Sequence, residues 1–205
     1  MTPTVVVLAR DPRRAKTRLR SALEPVERER LALAMFDDVV AAARSTRWPV
    51  LVVTDSPAIG ARARLAGARA LVVPARGTRD AARHGAERAA RDGADAVLIV
   101  AGDVPLVRAA DLRRIAAAGR RAAVVIVPDG KRSGTNALYL RPPERIAPRF
   151  GRGSLAAHRE AAGDDGRVLT VARLALDVDT PADLVVLRRV RPRAGTRTRA
   201  ALGRD

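Results

Sequence analysis

Ala96-Val97-Leu98-Ile99-Val100-Ala101, followed at once by Gly102-Asp103-Val104-Pro105-Leu106, is the stretch on which the fold turns. Six apolar residues rich in β-branched side chains, closed by Gly and Pro, predict a strand buried on both faces. Asp103 then stands just past the carboxyl end of that strand. Ligands of open α/β sheets bind along that edge, so a carboxylate carried there by a stiff strand suits a metal or a substrate hydroxyl. A second reading fits the same residues, in which Asp103 caps the helix that follows.

Working outward, apolar runs alternate with helical patterns through the amino-terminal half. Val5-Val6-Val7-Leu8, Pro49 to Thr54 and Ala70 to Val73 read as strands. Helices are expected from Pro25, from about Ala58 to Ala66, from Thr78 to Arg91 and around Ala109 to Ala118. This alternation predicts βαβ units, and so an α/β fold with a mixed, mostly parallel sheet flanked by helices. Further on, Ala122 to Val127 and Thr135 to Leu140 read as strands around the turn Pro128-Asp129-Gly130-Lys131-Arg132-Ser133-Gly134. That turn is either an anion cradle or a plain hairpin.

The 205 residues and 47% hydrophobic content allow one domain, expected over residues 1–190. No apolar run is long enough to cross a bilayer and no leader pattern is present, which points to the cytoplasm. Without cysteine there is no disulfide, thiolate nucleophile or Cys-based zinc site. The two histidines, His84 and His158, are far apart in the chain. A metal would therefore sit on oxygen ligands, which favours magnesium, calcium or manganese. The net charge of +17 suits anionic partners. From about Arg191 to Asp205 the chain is rich in Arg and poor in apolar residues, and it is expected to be a mobile basic tail.

Three further stretches carry chemistry. After the first strand, Arg10, Arg13, Arg14, Lys16 and Arg18 put five cations into residues 10–19 around the turn at Pro12. Such a loop can wrap a polyphosphate, with Lys as a point charge and Arg as a fork. It lacks Walker or dinucleotide glycine spacing. Phe150-Gly151-Arg152-Gly153-Ser154 opens a helix, where free N–H groups and the helix dipole favour an anion; Ser154 also suits a simple N-cap. His158 lies one turn into that helix, where it could approach the same anion, whereas His84 reads as an ordinary surface or packed residue.

Leu174-Ala175-Leu176-Asp177-Val178-Asp179-Thr180-Pro181 reads as an alternating strand. It would set Asp177 and Asp179 on one face, and Thr180-Pro181 would start the closing helix. With Asp103 these carboxylates make a plausible oxygen set for Mg²⁺; the other reading is a purely structural pair in which Asp179 only caps the helix. Cations for a polyphosphate, carboxylates for magnesium and a separate anion pocket, with no protein nucleophile, suit direct nucleotidyl transfer onto an acceptor phosphate. Such an acceptor is ionised at neutral pH and needs no general base.

Ala15-Lys16-Thr17-Arg18-Leu19, Gly102-Asp103-Val104-Pro105-Leu106, Gly134-Thr135-Asn136-Ala137-Leu138, Phe150-Gly151-Arg152-Gly153-Ser154 with His158, and Leu176-Asp177-Val178-Asp179-Thr180-Pro181 occur in that order. Together they resemble the motifs of the 2-phospho-L-lactate (or phosphoenolpyruvate) guanylyltransferase family of coenzyme F-420 biosynthesis. The resemblance implies a nucleotidyltransferase fold of the nucleotide-diphospho-sugar-transferase type. It also implies a reaction in which GTP and a phosphorylated three-carbon acid give a guanylylated diphosphate and pyrophosphate. By position, Asp103, Asp177 and Asp179 would hold Mg²⁺, and Thr135, Gly151 and Ser154 the acceptor. Arg10, Lys16 and Arg18 would lie at the GTP phosphates, with Asp103 and Lys16 the catalytic pair.

The chain departs from the family pattern at Arg10-Asp11, where Lys-Pro is usual, and at Gly77-Thr78-Arg79, where Gly-Leu-Asn is usual. The second departure touches the choice of base and leaves room for 3-phosphoglycerate as acceptor. Related nucleotidyl- or glycosyltransferases share the Lys-Thr-Arg-Leu and Gly-Asp elements. An Arg-rich nucleic-acid binder is the alternative of another class, disfavoured by 2% aromatic content and the lack of helix-turn-helix or zinc patterns.

Overall fold

A computed structural model describes residues 2–190 and 195–203. Its sheet has seven strands: β1 (Thr4–Ala9), β2 (Val50–Thr54), β3 (Arg69–Val72), β4 (Val97–Ala101), β5 (Val124–Pro128), β6 (Thr135–Leu140) and β7 (Gly166–Val168). They lie in the order β3-β2-β1-β4-β6-β5-β7. The pairs β1–β2, β2–β3, β1–β4 and β5–β7 are parallel, whereas β6 runs antiparallel to both β4 and β5. The mixed, mostly parallel sheet expected from the alternation is what forms.

Among the described residues the α-helices are α1 (Pro25–Arg44), α2 (Pro57–Leu65), α3 (Thr78–Arg91), α4 (Ala109–Ala118), α5 (Ser154–Ala162), α6 (Pro181–Arg189) and α7 (Thr196–Ala201). The period-two alternation within each strand divides the core. Val5, Val7, Val50, Val52, Leu98 and Val100 meet α1, α2 and α4 on one face. Val6, Leu8, Leu51, Val53, Val97 and Ile99 meet α3 and α5 on the other. Both faces of β4 are buried, as its unbroken apolar run requires. No helix among the described residues is long and apolar enough to cross a membrane.

The order of strands reverses between β1 and β4: the chain leaves β1 for β2 on one side and later leaves β4 for β5, beyond β6, on the other. At such a switch point the two carboxyl-end loops diverge and leave a crevice. The loops in question are residues 10–18 and Gly102-Asp103. A third apolar cluster, Leu19, Leu31, Met35, Leu106, Val178, Leu184 and Leu187, lies beside this crevice and anchors the surrounding loops from below.

Two expectations are corrected. Leu174 to Asp179 is not a strand: a 3₁₀ turn at Ala172–Leu174 runs into irregular backbone that ends at α6. Its alternation comes from Leu174 and Val178 plugging into two different clusters rather than from sheet pairing. The edge strand is instead Gly166–Val168, paired with β5. At the carboxyl end, the segment expected to be a mobile tail contains α7, packed against α1. Buried Asp38 of α1 accepts hydrogen bonds from the Thr198 amide at 2.9 Å and the Thr198 hydroxyl at 2.7 Å, fixing the start of that helix. Residues 191–194, 204 and 205, also counted in the tail, lie outside the described residues.

Candidate active site

A cleft of about 750 Å³ opens at the switch point. Arg10, Lys16, Arg18, Asp103, Thr135, Gly151, Ser154, Asp177 and Asp179 all line it. Segments spread over most of the chain thus converge on one crevice of the size that holds a nucleotide-sized ligand.

Its acidic side is built on Gly102. A β-carbon there would sit 2.4 Å from the Leu8 carbonyl oxygen, so only glycine lets the β4 terminus pass this close to β1. Asp103 follows, and its carbonyl accepts the Val178 amide at 3.3 Å, joining the two acidic loops. Val178 is fully buried, while its neighbours Asp177 and Asp179 face the cleft. Asp183 holds the next turn: its Oδ2 accepts from the amides of Asp179 at 3.0 Å and Thr180 at 2.7 Å. Thr180 with Asp183 then forms the capping box of α6.

Lys16 is the hub. Its backbone is left-handed, φ 56°, and its side chain is only 5% exposed. Nζ donates to Asp103 Oδ2 at 2.6 Å and to Asp179 Oδ1 at 3.3 Å. Arg18 donates to the other Asp179 oxygen at 2.9 Å. Burial works against the Lys16 ammonium, but Asp103 and Asp179 outweigh it and hold the group above its ordinary value. The expected trio of carboxylates is therefore gathered without being closed around a cation position, because an ammonium stands between Asp103 and Asp179. Among the described residues, no three acidic or histidine side chains are arranged to hold one metal ion.

Asp177 is different. Burial, then the charge of Asp103, pushes its carboxyl above the usual range, although Asn136 Nδ2, at 3.3 Å, donates to its side chain. Asn136 also donates to the Leu174 carbonyl at 2.7 Å, tying the irregular segment to β6. Asn136 and Asp183 were not assigned roles from sequence. The signal for Asn136 is its place beside Thr135 in the Gly-Thr-Asn run, and that for Asp183 is its capping-box spacing from Thr180.

The opposite wall is the start of α5. Gly151 and Gly153 adopt φ values of 121° and 71°, in the range that favours glycine. Ser154, the first residue of the helix, is 1% exposed, and its Oγ has no hydrogen-bond partner among the described residues. A buried hydroxyl left unpaired on a cleft wall costs free energy unless a ligand satisfies it. Thr135, on the adjoining β6, bonds through Oγ1 to His158 Nδ1 at 2.9 Å. His158 is fully buried and does not line the cleft; its ring nitrogens bond to Thr135 and to the Arg149 amide in the loop before α5. The turn between β5 and β6 is a hairpin tied by Asp129, whose side chain takes the Ser133 amide at 2.8 Å. Across the crevice, the amino end of α3 presents Gly77 and Thr78.

Comparisons with known proteins establish the family and the fold. The chain is 40% identical over 189 residues to the phosphoenolpyruvate guanylyltransferase of Sphaerobacter thermophilus, covering 90% of this chain and 91% of the relative. It is 30% identical to the 3-phospho-D-glycerate guanylyltransferase of Colwellia psychrerythraea, with 91% of each chain covered. Among solved structures, a Desulfovibrio desulfuricans G20 protein assigned to the nucleotide-diphospho-sugar transferases superposes with a TM-score of 0.79. That pair is 17% identical, covers 98% and 94% of the two chains, and shows the shared fold. With residues 4–190 matching the family model for CofC-like guanylyl transferases, the chain belongs to that family.

Proposed function

We propose that this protein is a guanylyltransferase that joins the GMP unit of GTP to the phosphate of phosphoenolpyruvate and releases pyrophosphate, as a step in coenzyme F-420 biosynthesis. The observation that carries the proposal is a single cleft with two unlike walls. One holds the Lys16–Asp103–Asp179 cluster at the ends of β1 and β4; the other holds the unpartnered Ser154 hydroxyl beside Thr135. The charged wall suits the triphosphate and the helix-start wall suits the acceptor anion.

In this reading an acceptor phosphate oxygen attacks the α-phosphorus of GTP. A new P–O bond forms, the bond to the β-phosphate oxygen breaks, and pyrophosphate leaves. No residue need remove a proton, because the acceptor is already ionised. Lys16, Arg18 and Arg10 align the triphosphate and offset its charge; Ser154, Thr135 and the Gly151 backbone hold the acceptor in line. Asp103 and Asp177 would be the residues to hold a hard divalent cation: the charge of Asp103 raises the Asp177 carboxyl even though Lys16 pairs with Asp103. Mg²⁺ bound there would neutralise charge developing on the triphosphate. Asp179, paired with Lys16 and Arg18, serves to hold those cations in place.

The test is pyrophosphate release with each nucleoside triphosphate against phosphoenolpyruvate, 2-phospholactate and 3-phosphoglycerate. Turnover is expected with GTP and phosphoenolpyruvate, and is lost in Asp103→Asn assayed below its thermal midpoint, where the variant remains folded. Silence with every pairing rejects the proposal, and a fully active Asp103→Asn protein removes that residue from it. The 3-phosphoglycerate arm is kept because a relative of that name is 30% identical.

A further inference from the structure

His158 has two neighbours that together fix where its proton lies. Its Nε2 receives the backbone amide of Arg149 at 2.7 Å, and an amide can only donate. Nε2 therefore carries the lone pair. The N–H of the neutral ring is then on Nδ1, which lies 2.9 Å from Thr135 Oγ1 and donates to it. Thr135 has no other side-chain partner among the described residues, and it lines the cleft. Its hydroxyl accepts from the imidazole and keeps its own proton.

We propose that His158 is a positioning residue for the acceptor pocket: held as the Nδ1–H tautomer by the Arg149 amide, it turns Thr135 into an obligate donor toward an anionic ligand in the cleft. The proposal rests on the acceptor reading given above for Thr135. It explains why a polar ring is buried completely on the far side of Thr135. The surroundings keep the ring neutral. Burial, then the positive charges of Arg149 and Arg79, lower its pKa to about 4. Phe150 packs edge-on at 5.3 Å between ring centroids, which restrains the imidazole plane. A protonated ring would still donate from Nδ1, but it would place a hydrogen on Nε2 against the Arg149 amide and break the loop that leads to Ser154. Arg79, in the first turn of α3, thus also helps keep the ring neutral.

Two measurements test this. The chain has two histidines, so a His84→Gln protein leaves one imidazole to observe by long-range proton–nitrogen NMR. The expected spectrum is the Nδ1–H tautomer, unchanged between about pH 6 and 8. An Nε2–H tautomer, or titration in that range, overturns the proposal whether or not the enzymatic reading stands. The second measurement is a cycle of His158→Gln, Thr135→Val and the double variant, read by calorimetric binding of phosphoenolpyruvate and by separate KM values for the two substrates. His158→Gln and Thr135→Val should each weaken phosphoenolpyruvate about tenfold, leaving the KM for GTP within about twofold. The double variant should be no worse than Thr135→Val alone. Multiplying losses, or equal losses for both substrates, would mean His158 only supports the fold. Wild-type protein that binds phosphoenolpyruvate without turnover would reject the proposed reaction while leaving the tautomer and binding results to decide this inference.

Discussion

Lys16 donates to Asp103 across 87 residues of chain, at 2.6 Å and with its side chain almost wholly out of solvent. The pair joins the two carboxyl-end loops of the switch point, and Asp179 adds a third loop through the same ammonium. Replacing Lys16 by Met leaves the carboxylates facing each other and removes a donor aimed at the triphosphate. We expect kcat/KM for GTP to fall by about 10²- to 10³-fold, the size of losing one preorganised charge-stabilising donor. Steady-state kinetics check this; a loss smaller than fivefold would make Lys16 a structural brace only.

Gly102 sets how close that carboxylate can come. In Gly102→Ala the added carbon meets the Leu8 carbonyl, a backbone atom that cannot turn aside. The variant should lose about 1–3 kcal/mol of stability by overpacking. Because the only relief is to push the β4 terminus outward, activity should fall further than the stability change explains. Urea unfolding and kinetics on the same preparation separate the two effects.

These positions show why much of the fold was legible from sequence and why part of the site was not. The β4 run and its Gly-Asp ending are local signals: both-face burial needs an unbroken apolar stretch, and close strand approach needs glycine. The Leu174–Asp179 segment imitates that signal, since alternating burial arises equally when a coil drops Leu174 and Val178 into separate clusters. β7 carries no such signal, because Gly166 and Arg167 are exposed and have no apolar period. His158 is hidden for a related reason. Its partners Thr135 and Arg149 are brought to it by β6 and the loop before α5, and nothing in the α5 sequence announces them.

Asp177 supplies a prediction with a definite sign. Burial and the Asp103 charge raise its native pKa above the ordinary 3.8, so the native state binds this proton more tightly than the unfolded chain. Stability is therefore lost as pH rises from 3.8 through the native value, and the full deficit persists at neutral pH. Asp177→Asn keeps the shape and an oxygen for Asn136 while removing the charge. The metal-free variant should melt higher than wild type at pH 7, with the gain shrinking in acid, and it should lose most of its activity. Equal melting curves at both pH values would argue against the repulsion.

The last prediction concerns the carboxyl-terminal helix. Asp38 is buried on α1 and accepts from the amide and the hydroxyl of Thr198, itself fully buried; Arg197 adds an ion pair at 3.6 Å. Beside this clamp, Gly195 abuts Leu106, and Leu202 packs on the cluster that holds Leu19 and Val178. A clamp on α7 therefore bears indirectly on the loops carrying Lys16 and Asp179. In Asp38→Ala the Thr198 amide and hydroxyl lose their acceptor in a dry setting, at about 1–3 kcal/mol. Amide exchange should quicken in α7 first and then at the carboxyl end of α6, with kcat reduced less than in Lys16→Met. Unchanged exchange in α7 would show that its apolar contacts hold it without the carboxylate.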